Sequence, residues 1–169
     1  MKIARRGAIV LALITGCLFN AANSLAVAGQ MLQPSDLFPG FPQIHWGMSF
    51  NDARRAVERT GLRGVGSNPA KTELAWDIAY KSLKGRGTVL FKEGTGAYEI
   101  AVVVYAFDQR RAIFDEWKKQ ITERHGAANE VDNRVSTSEL WRLKNGFTLE
   151  LRLVKDDDSP VVEIHWVKG

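Results

Sequence analysis

The sequence predicts an α+β fold: two helices packed on an antiparallel sheet, with a tandem repeat of the form β-α-β-β-β / α-β-β-β. Three observations predict it. Two segments carry apolar residues at helical spacing and end at a glycine, Gly61 or Gly126. Seven others alternate apolar with polar residues, or are continuously apolar over the length of a strand. The strands that follow the helices are joined by turns, hairpin-like at Glu93-Gly94-Thr95-Gly96, with others at Asn145-Gly146 and 156–158.

Residues 1–28 read as a secretory signal that takes no part in this fold. Lys2, Arg5 and Arg6 precede an apolar run from Gly7 to Phe19, and a small-residue end follows at Ala26-Val27-Ala28. The run is about 13 residues, shorter than the roughly 20 a membrane-spanning helix requires. Two processing routes are consistent with it. Cleavage after Ala28 leaves a soluble periplasmic protein starting at Gly29. Alternatively, Ile14-Thr15-Gly16-Cys17 is similar to a lipobox, which makes 1–16 a lipoprotein signal and Cys17 the lipidated first residue.

Cys17 is the single cysteine of the 169-residue chain, so residues 29–169 hold no disulfide, thiolate cluster or cysteine nucleophile. Three of the 23 basic residues and none of the 19 acidic ones lie in 1–28, leaving 20 against 19 beyond it. That balance gives no reason to expect a nucleic-acid partner. Contact with a membrane is expected only through a lipid anchor.

Gly29 to Pro42 contains three of the five prolines and reads as an extended lead-in to a single α+β domain at 43–169. Gln43 to Trp46 reads as a short strand. Ser49 is placed to cap a helix running to about Thr60, with Asp52 in its first turn and Phe50, Ala53 and Val57 as its stripe. Strands follow at 72–81, 86–92 and 98–107. Ile100 to Phe107 is apolar at every position and is expected to be central and covered on both faces. Its second cover would come from a loop, the lead-in or a second subunit, so a homodimer is among the expected arrangements.

A second helix, from 108 or 109 to His125, places Ile113, Trp117 and Ile121 in line. Strands at 138–143, 147–154 and 161–167 complete the chain, and Thr148, Glu150 and Arg152 mark one wet face. The repeat rests on a shared spacing: Trp76 lies 15 residues after Gly61 and Trp141 lies 15 after Gly126, with a Glu-Leu shortly before each tryptophan.

Candidate chemistry is sparse. Ile-His-Trp occurs at 44–46 and again at 164–166. If the first and last strands were neighbours, His45 and His165 would meet on the solvent face and could begin a zinc or copper site. The alternative is that both tryptophans fill the core while both histidines lie in solvent. No third ligand is apparent, because His125 stands at a helix end where it would meet the dipole. Asp156-Asp157-Asp158 lacks the spaced ligands of a calcium loop. There is no nucleophile-elbow serine and no phosphate loop. Catalytic residues and cofactors are therefore expected to be none. Arg54, Arg55, Arg59, Arg110, Arg111, Lys118 and Lys119 are interleaved with acids and read as solvated helix faces.

Trp46-Gly47-Met48-Ser49-Phe50-Asn51-Asp52-Ala53-Arg54, continuing to Gly61, resembles the strand-to-helix opening of small bacterial envelope modules. Those are the BamE (SmpA/OmlA) outer-membrane assembly lipoproteins and the β-lactamase-inhibitor-like domains. The resemblance implies a non-catalytic interaction module, periplasmic or outer-membrane-associated, whose partner is an envelope protein. A ligand- or metal-binding periplasmic protein, or a hydrolase, are the alternatives.

Overall fold

Eight antiparallel strands form one sheet in the computed structural model of the protein, which describes residues 31–134, 136–154 and 161–169. The signal segment, Cys17 and the acidic turn at 156–158 lie outside the described residues. The elements are α1 (Pro34–Leu37), α2 (Phe50–Arg59), β1 (Gly66–Ser67), β2 (Glu73–Tyr80), β3 (Leu83–Lys92) and β4 (Gly96–Tyr105). A short 3-10 turn at Phe107–Gln109 leads into α3 (Arg110–His125). Then come β5 (Glu130–Asp132), β6 (Thr137–Arg142), β7 (Phe147–Leu153) and β8 (Val161–Lys168). The strand order is β1-β2-β3-β4-β8-β7-β6-β5, so the two edges are a two-residue and a three-residue strand.

The strand pattern of two explains which face is dry. Registers Leu74↔Val89, Val89↔Ile100, Ile100↔Trp166, Leu149↔Trp166 and Trp141↔Leu149 put these residues on one face. Ala53 and Val57 of α2, and Ile113, Phe114, Trp117 and Ile121 of α3, join the same apolar core. Both long helices therefore cover one side of the sheet. Each begins and ends close to where the apolar spacing places it. Ser49 accepts a hydrogen bond from the Asp52 N–H at 3.2 Å, the expected cap of α2.

The sheet also shows where a small residue is required. Trp76 pairs across strands with Gly87, and a Cβ at 87 would stand 2.6 Å from the indole. The bare glycine backbone is what lets the ring lie flat against β3.

Four expectations are corrected. Residues 43–46 form no strand. Gly47 (φ +81°) turns the chain, and residues 47 and 48 bond to Ala97 at the start of β4, with Gly47 N–H donating to Ala97 O at 2.9 Å. The segment 29–42 is not simply extended. From Leu32 it forms a strap with one helical turn, α1, whose Leu32, Leu37, Phe38 and Phe41 are buried. Phe38 meets Tyr80 and Trp117 edge-on, with centroids at 5.5 and 5.2 Å, and Phe41 meets Trp76 at 5.4 Å.

The central strand β4 has helices on one side only. Ile100, Val102 and Val104 lie in the core, whereas Tyr105 on the other face is 43% exposed. Finally, Lys118 is not a purely solvated helix residue. It reaches the sheet and pairs with Glu139 at 2.5 Å. Arg54 pairs with Glu58, Arg55 with Asp52, Arg111 with Asp115 and Lys119 with Glu123, each along its own helix, as expected of a wet face.

Candidate functional site

The side of the sheet away from the helices carries a connected polar network at its centre. In β8, Val162, Ile164 and Trp166 face the core, so Glu163 and His165 face the other way. Register brings Ala101 of β4 and Glu150 of β7 to either side of His165. It likewise brings Val103 and Arg152 to either side of Glu163.

Within that frame His165 Nδ1 lies 2.9 Å from Glu99 Oε1 and its Nε2 lies 3.5 Å from Glu163 Oε2. The second contact is an ion pair and not a well-formed hydrogen bond. Arg152 Nε donates to Glu150 at 2.7 Å, and its Nη1 is 3.8 Å from Glu163. The Ser138 hydroxyl donates to Glu150 at 2.7 Å. Three carboxylates, one guanidinium and one imidazole thus share a half-buried strip across β4, β8, β7 and β6.

The titration of these groups follows from their neighbours. Burial opposes charge on His165, but the close carboxylate of Glu163, the hydrogen bond to Glu99 and the charges of both outweigh it and raise its pKa above 6.5. Two carboxylates can only accept, so the doubly protonated ring is the form that fits. Glu163 is lowered from its ordinary range chiefly by His165, against the cost of burial. For Glu150 burial raises the pKa, yet Arg152 and Ser138 bring the net shift downward.

A pKa raised in the folded state stabilises that state below the ordinary value. The stabilisation disappears as the pH rises through the raised value. His165→Gln is therefore expected to flatten the fall in stability between about pH 6 and pH 9. Urea melts at both pH values check this, and an unchanged pH dependence in the variant refutes it.

The condition for a two-histidine metal site is not met. His45 lies outside the sheet, in the loop before α2, and lines a surface groove with Pro34, Phe41 and Ile44. The neighbours of β8 are β4 and β7, so His165 meets glutamates and not His45. Among the described residues no group of three or more His, Cys, Asp or Glu side chains is placed to hold a metal. His125 ends α3, where the sequence places it, and its Nε2 accepts the Leu32 N–H at 3.1 Å.

Alternation marked Glu150 and Arg152 as lying on a wet face. Glu99 carried no sequence signal, since it joins His165 only through the β4–β8 pairing. Two residues apart in one strand, Glu163 and His165 were the available hint.

The fold and network together define an α+β protein with an eight-stranded antiparallel sheet, helices on one face and a charged strip on the other. Neither a protein-family model nor a curated protein matches the chain. Among solved structures it is similar to a DUF4309 family protein, YjgB, from Bacillus subtilis. That likeness has 12% sequence identity and a TM-score of 0.44, covering 86% of this chain and 92% of the other.

Proposed function

We propose that the chain is a non-catalytic interaction module of the bacterial envelope, which contacts a protein partner through the helix-free face of its sheet. The observation that carries this reading is the half-buried strip Glu99–His165–Glu163–Arg152–Glu150 beside Ala101, Val103 and the exposed Tyr105. A fixed polar group set among apolar residues is what a partner's side chains can read. A hydrolase is less well supported, because the Ser138 hydroxyl is engaged with Glu150 and does not donate to His165. The export-type start and the envelope-module resemblance at 46–61 support the location. No helix among the described residues is long and apolar enough to cross a membrane.

The test is a photo-reactive residue at Tyr105 of the full chain in a bacterial host, with a control at Arg54 on α2. A specific envelope protein should be captured from Tyr105 and not from Arg54. Capture of nothing specific at Tyr105, or the same proteins at both positions, overturns the reading. The mass of the purified chain distinguishes a start at Gly29 from a lipid-modified Cys17.

The sheet itself supports a tandem duplication. Its order mirrors about the β4–β8 junction, and each long helix is followed by four strands ending at that junction. Trp76 and Trp141 both stand in the second strand of their half. Matching them puts Glu139 where the first half has Leu74, so a leucine should be accepted at 139.

A further inference from the structure

Leu32 is held at both of its backbone groups. Its N–H donates to Nε2 of His125 at 3.1 Å, and its carbonyl accepts the indole N–H of Trp166 at 2.7 Å. A backbone N–H can only donate. Nε2 must therefore present a lone pair, which fixes His125 as the neutral ring with its proton on Nδ1.

We infer that His125 is a pH-operated latch for the strap, in which protonation of Nε2 replaces an acceptor with a donor and frees the Leu32 end. The two groups would then be donors facing each other, and the buried N–H would lose its partner. The charged groups around the latch are few. Arg124 comes from the same helix, with its guanidinium held at 2.5 Å by Asp36 of the strap. From the sheet, the group meeting Leu32 is the uncharged indole of Trp166.

Burial, and then the charge of Arg124, hold the His125 pKa below 6.5. A pKa lowered in the folded state gives stability that is present above the ordinary value and lost as the pH falls through the lowered one. This is opposite in sign to His165. Phe38 and Phe41 hold the strap by ring contacts that do not titrate, so opening starts at Leu32 and not at the middle of the strap.

Hydrogen exchange on the full chain, corrected for intrinsic rates, tests this at about pH 7.5 and about pH 5. The amides of Leu32 and Gln33 should lose protection at least ~10-fold at the lower pH, while those of Phe38 and β4 keep theirs. His125→Gln retains an acceptor that does not titrate, and should abolish the difference. Equal protection of the wild-type strap at both pH values overturns the latch, as does a difference that survives in His125→Gln. Imidazole nitrogen NMR of the unmodified chain gives a readout independent of any variant. An unprotonated Nε2 on His125 at about pH 7.5 is expected, and a protonated one there overturns the assignment.

Discussion

Trp76→Ala is expected to destabilise the domain by about 3–5 kcal/mol, the range for emptying a buried aromatic site. Trp76 is fully buried. Its ring lies between Phe41 of the strap and the bare backbone of Gly87, which has no side chain to move into the space it would leave. The strap loses one of its aromatic anchors at the same time.

A comparison with phenylalanine sharpens the expectation. Among the described residues the Trp76 indole N–H has no hydrogen-bond partner, whereas that of Trp141 donates to the Gly126 carbonyl at 3.0 Å. Trp76→Phe removes an unsatisfied donor whose burial costs about 1–3 kcal/mol, while Trp141→Phe breaks a made bond. The phenylalanine variant should therefore be better tolerated at 76 than at 141. Chemical melts decide it, and a loss below about 1 kcal/mol for Trp76→Ala would move that ring out of the core.

The second large effect concerns Glu139, the one carboxylate on the apolar face among the described residues. Glu139 is 4% exposed, and Thr137 is the other buried polar residue on that face. Lys118 reaches it from α3 with its own side chain 45% exposed. Lys118→Met would strand a buried charge, for which removal of a partner costs about 3–5 kcal/mol when both ions are buried. Because Lys118 is half in water, the lower end, about 3 kcal/mol, is expected.

Glu139→Leu in turn should be neutral or stabilising by about 1–4 kcal/mol, since it removes both desolvation and dependence on the lysine. In that background Lys118→Met should cost almost nothing. A double-mutant cycle in urea measures the coupling directly. Strong destabilisation by Glu139→Leu would count against both the energetic argument and the equivalence of positions 139 and 74.

Much of this fold was legible because periodicity is a local signal. The stripe Ile113-Trp117-Ile121 places α3, and the alternation Leu74-Trp76 and Leu149-Leu151-Leu153 places β2 and β7 with the correct side inward. Residues 43–46 misled because Ile-His-Trp has the same alternation in β8, where register makes it a strand, as before Gly47, where a turn ends it. Edge strands of two and three residues are too short to show a period at all.

The charged strip was the least legible part. Glu99 and His165 are 66 residues apart and meet only because β4 and β8 are neighbours. No spacing rule within one segment reports such a pair. Lys118 illustrates the same limit: helical periodicity marks it as outward, and only the folded structure shows that it reaches Glu139 of β6.

The short outer strands have a consequence for how this sheet can associate. Gly66–Ser67 and Glu130–Asp132 give an incoming strand two or three residues of open ladder, and Glu130 and Asp132 hold arginines Arg142 and Arg134 beside the second of them. Sheets grow, swap or fibrillise through long unpaired borders. On the first rim β1 pairs only with Leu74 and Ala75 of β2, and one further bond runs from the Asp77 N–H to the Arg63 carbonyl, so a partner's strand would find its longest outer main chain along Ile78–Tyr80.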